Sequence, residues 1–265
     1  MRVEVIFDSP NIRVRHVHYD GLGPLMVLFP SLDEAQSIEK KGFGSDLYNK
    51  IQRDHLSITC ASNSWFQYPE MGEAIAAMQR IVESYEQSIG YGSSMGAYGA
   101  LAFGRPLGLS TSIAIAPQFS VDPQKVPFEK RWMADRKQIA SFPIDDLGAN
   151  AIDGSACYVI YDPFYKTDAQ HVRLIREAVQ PVEIFTSFGG HLCAELVAAV
   201  GILRPAVEAI CTGTFDRAAF TRDLRQKRGS VPRTWKMLAE RAARDGNAAL
   251  AERALARLAA LNKAV

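Results

Sequence analysis

The chain is poor in the features that mark several large protein classes. Its four cysteines, Cys60, Cys157, Cys193 and Cys211, are scattered and form no Cys-x-x-Cys pair. That removes the spacing of a zinc site or a disulfide framework, and a reduced, cytoplasmic setting is the expectation. The opening MRVEVIFDSPNIRVRHVHYD has no continuous apolar core of a secretory signal. No run approaches the roughly 18 apolar residues of a membrane span. Charge bias is missing too: 30 basic against 29 acidic residues give a net charge of +1, far from the basic footprint of a nucleic-acid binder. There is no G-x-x-x-x-G-K-[ST] string, so no phosphate-binding P-loop is read. No metal and no cofactor is expected.

What is present is apolar material, 48% of 265 residues, enough for one substantial core. Arg2–Phe7 and Ile12–Tyr19 alternate apolar and polar residues, the period of half-buried strands. They read as an antiparallel pair at a sheet edge, followed by a break at Gly21–Pro24. The next strands are short and almost wholly apolar: Leu25–Phe29, Leu56–Cys60, Ser88–Tyr91, Ser112–Ala116, Cys157–Tyr161 and Val182–Thr186. Helical stretches separate them, as around 70–85. Strands of this kind are buried on both faces, and their alternation with helices predicts a mostly parallel sheet covered by helices. The expected fold class is therefore α/β, with an antiparallel N-terminal edge.

Two stretches break the alternation. Residues 119–150 read as an insertion or small cap within a domain spanning 1–228. Residues 229–265 carry two amphipathic helical patterns joined at Asp245-Gly246-Asn247, a helical hairpin. The hairpin resembles a single tetratricopeptide-type unit; a simple C-terminal bundle is the alternative. One such unit cannot bury its own apolar stripe, so it must dock on the main domain, on a protein partner or on a second copy. The expectation is that it lies outside the catalytic machinery.

The motif with chemical content is Gly92-Ser93-Ser94-Met95-Gly96, which matches G-x-S-x-G. It follows a strand-like run and opens a helical stretch at Ala97–Phe103, the strand–turn–helix setting of a nucleophile elbow. Ser94 occupies the nucleophile position; Ser93 is one place early and reads as structural. His191 closes Phe188-Gly-Gly-His191 after the last apolar strand, where a short glycine loop can carry a base back over the strand ends. The other histidines, His16, His18, His55 and His171, fall in strands, beside one or in a helix.

On these residues the chain resembles the α/β-hydrolases from about Leu25 to about Gly201, with the chain order Ser, acid, His. The resemblance implies a serine hydrolase with Ser94 as nucleophile and His191 as base. It also implies an acid in the turn after Cys157–Tyr161. Asp162, in Asp162-Pro163-Phe164, is preferred for that role; Asp168, which can be explained as a helix cap, is the alternative. The oxyanion hole would combine the Met95 N–H with one from Ser31 or Leu32, because Pro30 has none. Phe29-Pro30-Ser31-Leu32 departs from the HGGG loop of many lipases. Trp65 and Phe66 either line a substrate pocket or pack beneath a loop. The expected reaction is cleavage of an ester, thioester or amide through an acyl-enzyme, the substrate being a small-molecule or glycan acyl ester. Acyl transfer by the same triad and a non-catalytic binding role on the same fold are the rival readings.

Overall fold

The computed structural model describes residues 1–19, 21 and 23–263; Leu22, in the expected break at Gly21–Pro24, lies outside them. Eight strands form one sheet: β1 Arg2–Asp8, β2 Ile12–His18, β3 Leu25–Phe29, β4 His55–Cys60, β5 Ser88–Ser93, β6 Thr111–Ile115, β7 Cys157–Tyr161 and β8 Val182–Phe185. Their order across the sheet is β1-β2-β4-β3-β5-β6-β7-β8. β1 pairs antiparallel with β2, and β2 antiparallel with β4. The β4–β3, β3–β5 and β5–β6 ladders are parallel. The helices are α1 Ser45–Lys50, α2 Met71–Val82, α3 Met95–Ala102, α4 Gly104–Leu107, α5 Met133–Arg136, α6 Leu147–Asn150, α7 Lys166–Val179, α8 Cys193–Ala199, α9 Leu203–Cys211, α10 Arg217–Lys227, α11 Pro232–Arg244 and α12 Ala248–Asn262.

The reading of apolar runs as central strands follows from burial. Every residue of β3 is fully buried, and every residue of β4 is buried. β1, by contrast, exposes five of its seven residues, Val3 and Val5 among them, as an edge strand does. α3 is buried at all eight positions. It can be, because its sequence Met-Gly-Ala-Tyr-Gly-Ala-Leu-Ala carries no charge and mostly small side chains, which let it lie close on the sheet. No helix among the described residues is long and apolar enough to cross a membrane.

The chain forms two compact units, 1–159 with 170–182, and 160–169 with 183–265. The first holds the central strands, the elbow and the 119–150 segment. That segment contains only the short helices α5 and α6, and buried ionic groups hold it. Glu129 accepts from Arg131, and His171 Nε2 lies 3.0 Å from its carboxylate. The Phe119 N–H donates to His171 Nδ1 at 3.2 Å, so the ring is the neutral tautomer that donates from Nε2 to Glu129. Burial would raise the pKa of Glu129, but the His171 and Arg131 hydrogen bonds outweigh it and hold the carboxyl at about 2.

The second unit holds α8–α12. The N-terminus of α10 is capped by Asp216, which accepts from Ala218 and Ala219 N–H at 2.7 and 3.1 Å. α11 and α12 turn about Gly246, whose φ of 74° suits glycine.

Candidate active site

Ser94 stands between the last residue of β5 and the first of α3, with φ 52° and ψ −117°. A non-glycine residue reaches that region only at a cost of about 1–3 kcal/mol, and only where its surroundings fix it. Here they do. The Ser94 N–H donates to Ile115 O at 2.8 Å, while its carbonyl accepts from Ala97 and Tyr98 N–H at 2.9 and 3.1 Å. The flanking glycines have a steric reason. A Cβ on Gly92 would lie 2.3 Å from the carbonyl of Gly96, and one on Gly96 would lie 2.3 Å from Phe29 O. Strand end, helix start and the end of β3 therefore meet in backbone contact that no larger residue permits.

The same contact brings in the loop after β3. Ser31 Oγ donates to Ser93 O at 3.0 Å. Gln36 Nε2 donates to Ser31 O at 2.9 Å and to Asn63 Oδ1 at 3.0 Å. The backbone of Ser31 and Leu32 is thus pinned beside the elbow that carries Met95, at the N-terminus of α3, where helix N–H groups favour negative charge.

Trp65 and Phe66 are fully buried, both with positive φ, 49° and 61°. Phe66 meets Phe29 and Phe103 edge-on with centroids 5.6 Å away in each case. Trp65 Nε1 donates to Gln118 Oε1 at 2.9 Å and its ring lies 5.4 Å from that of Trp132. Both anchor the loop after β4 within the core.

In the second unit, His191 Nδ1 lies 2.8 Å from Asp168 Oδ2, and the Asp168 side chain is wholly buried. Asp168 sits in the first turn of α7. The sequence ranks Asp162 first, but the carboxylate that reaches the ring is that of Asp168. The oxygens of Asp162 are already engaged by backbone: Oδ1 accepts from Phe164 N–H at 2.9 Å and Oδ2 from Gly190 N–H at 2.8 Å. Asp162 therefore ties the turn after β7 to the loop that carries His191.

α11 covers this pair of loops. Met237 packs on Gly190, where an added Cβ would come within 2.9 Å of the thioether methyl. The Arg241 guanidinium lies 3.8 Å from the centroid of the Phe164 ring, and Phe164 and Phe188 are 5.1 Å apart. Arg228 Nη1 donates to Ser187 O at 3.2 Å. The hairpin, expected to stand outside the machinery, thus packs with its first helix on the histidine loop. Spacing could not reveal that packing, since Met237 lies 46 positions beyond His191.

The remaining histidines have other work. His18 Nδ1 lies 2.8 Å from Asp54 Oδ2, which also accepts from Tyr85 OH. Asp54 immediately precedes β4, so this network lies at the opposite end of the parallel strands from Ser94. Among the described residues, no three His, Cys, Asp or Glu side chains are grouped to hold a metal ion.

No family model matches the sequence, and no curated protein matches it. Solved structures similar to this one include the capsule O-acetyltransferase of Neisseria meningitidis serogroup A, with a TM-score of 0.53 and 14% identity over 73% of this chain and 92% of that one. The glycosylation-associated Gap123 complex of Streptococcus agalactiae gives a TM-score of 0.55 at 15% identity, over 78% of this chain and 46% of that one. An α/β serine hydrolase without a lid from Xanthomonas campestris gives 0.47 at 16% identity, over 85% and 94%. The likeness of the first two is one of fold. With its strand order, its antiparallel edge and a strand–turn–helix elbow after β5, the chain has the α/β-hydrolase fold.

Proposed function

We propose that the protein is a serine hydrolase that cleaves acyl esters, with Ser94 as nucleophile, His191 as its base and Asp168 as the carboxylate that orients the base. The observation that carries this reading is the backbone of Ser94: a serine held at φ 52° and ψ −117° by hydrogen bonds on both sides, at the head of a buried helix. That conformation costs energy, and it places the serine at the turn between β5 and α3.

The chemistry follows from the parts. With Nδ1–H of His191 donated to Asp168, Nε2 is left as the acceptor for a hydroxyl proton. Ser94 Oγ attacks the acyl carbonyl as His191 takes its proton. The tetrahedral oxyanion receives hydrogen bonds from the Met95 N–H and from Ser31 or Leu32 N–H. His191 then protonates the leaving alcohol, and the C–O bond of the ester breaks. Water, deprotonated by His191, attacks the acyl-enzyme, and the acid leaves as Ser94 recovers its proton. Asp162 enters as the group that holds the His191 loop through Gly190 N–H.

A fluorophosphonate probe tests the reading. The expected result is one phosphonyl adduct on Ser94, lost in Ser94→Ala and retained in Ser93→Ala. An adduct that survives Ser94→Ala contradicts it.

A further inference from the structure

We propose that the cleft between the loop after β4 and the 135–143 part of the insertion binds the alcohol portion of the substrate ester, and that this portion is an uncharged carbohydrate. The inference rests on the esterase reading of Ser94 and names the substrate class for that site.

The cleft lies wholly in the first unit and has a volume of about 530 Å³, within the range of about 300–1,000 Å³ usual for small-molecule sites. It opens at the C-terminal end of β4. β4 and β5 both run parallel to β3, so this is the sheet end that carries Ser94. The cleft is also wired to the elbow. Asn63, on its wall, donates to Asp33 O at 3.0 Å and to Asp135 Oδ1 at 3.2 Å, while its Oδ1 accepts from Asp33 N–H at 3.2 Å and from Gln36. Gln36 holds Ser31 O, and Ser31 holds Ser93 O. One hydrogen-bonded chain thus runs from the insertion, through Asn63, to the residue before the nucleophile.

The lining sets the chemistry. It contains no lysine or arginine and one carboxylate, Asp135, which leaves an anionic ligand without a counter-charge. Gln67 is a fixed wall, its amide donating to Trp65 O and Tyr98 OH at 3.0 Å each. Gln138 and Ser141 line the cleft, and both are exposed to solvent. An amide and a hydroxyl each donate and accept, the pairing that a sugar hydroxyl offers in return. The rest of the lining, Tyr68, Pro69, Ile139, Ala140 and Pro143, is largely apolar, as suits the C–H face of a sugar ring; an alkyl alcohol would meet that wall but strip water from Gln138 and Ser141 without replacing its hydrogen bonds.

The test compares two acetates, a mono-O-acetylated hexose and n-hexyl acetate, on wild type and on Gln138→Leu/Ser141→Ala. The expected kcat/KM ratio favours the hexose ester by about tenfold or more in wild type. In the double variant it falls about tenfold, mostly through KM, since one or two hydrogen bonds of ordinary strength are removed. Both substitutions are at exposed positions. A wild type labelled at Ser94 that shows no preference for the sugar ester, or a ratio that the double variant leaves unmoved, overturns the cleft assignment and leaves the esterase reading standing. A wild type that takes no label overturns the esterase reading instead. The cleft is then decided by titrating the acetylated hexose into the Ser94→Ala protein and following backbone amide resonances. Shifts at Ser62, Asn63, Gln138 and Ser141 support it, and shifts elsewhere or nowhere sink it.

Discussion

Ser94 and His191 are held in different ways. The elbow is a local device. Its strained residue, the two glycines that let backbones touch, and the start of the helix beside it fall within Gly92–Gly96, and Phe29, Pro30, Ser31 and Ile115 meet them from elsewhere. The histidine loop is a long-range device. Its ring is oriented by Asp168, its Gly190 is held by Asp162 and packed on by Met237 of α11, and Arg228 and Arg241 lie over Phe188 and Phe164. The first kind is written in one pentapeptide. The second is written across some eighty residues.

The sharpest way to break this comparison is through the two carboxylates. Asp168→Asn leaves the ring in the wrong tautomer and should lower kcat by about 10³–10⁴, the order found for a triad carboxylate. Asp162→Asn keeps one acceptor oxygen and turns an amide N–H toward one of the two backbone donors, Phe164 or Gly190 N–H, which then loses its acceptor. It should cost about 1–3 kcal/mol of stability, with a smaller fall in kcat of about tenfold to a hundredfold. Steady-state kinetics with chemical-denaturation curves separate the two. A larger rate loss at Asp162 would make it the orienting acid.

The glycines come next. Gly96→Ala drives a methyl into Phe29 O, a backbone atom, and should prevent folding or cost several kcal/mol. Gly190→Ala meets only the flexible end of Met237 but sits at φ 62°, so about 1–2 kcal/mol is expected, with the protein still folded. Thermal melts report both. Equal effects would show that the elbow is no more tightly built than the loop.

Long-range ties also hold the insertion, and pH sharpens that part. Glu129 is held at about 2 against an ordinary 4.5. A carboxyl lowered on folding stabilises the protein above its unfolded value, and that contribution is lost as pH falls from about 4.5 to about 2. Denaturation curves should therefore show a steep loss of stability across that window. Glu129→Gln should be destabilised at neutral pH, by up to about 3–5 kcal/mol for a buried ionic partner removed, and should lose less stability across that window than the wild type does.

The smallest effect is expected at α11. Arg241→Ala removes a cation–π contact of about 0.5–2 kcal/mol over Phe164 and should lower kcat severalfold by loosening the histidine loop, with KM little changed. Truncation before Pro232 removes Met237 as well and should cost more. Full activity in a folded, truncated chain would return the hairpin to the role expected from sequence, an element apart from the catalytic residues.

Much of the architecture was legible because the signals were local. Two-face burial wrote Leu25–Phe29 and Cys157–Tyr161 as apolar runs, and alternation wrote β1 and β2 as an edge. The Asp-Gly-Asn joint marked the turn between α11 and α12. α10 was missed although Asp216 is a readable cap, because its mean hydropathy is low and its apolar stripe is carried chiefly by Phe220 and Leu224. The choice between Asp162 and Asp168 was beyond local reading. Both are acids near the end of β7, and what separates them is which one the folded His191 loop meets. Glu129 and His171 lie 42 positions apart and gave no joint signal at all.

The central claim is that the conformation of Ser94 is that of a nucleophile. The most direct test is fluorophosphonate labelling followed by peptide mass mapping on wild type, Ser94→Ala and Ser93→Ala. The account predicts a single adduct in the Gly92–Gly96 peptide, present in wild type and Ser93→Ala and absent from Ser94→Ala. No adduct on the folded wild type, or one that persists without Ser94, would contradict it.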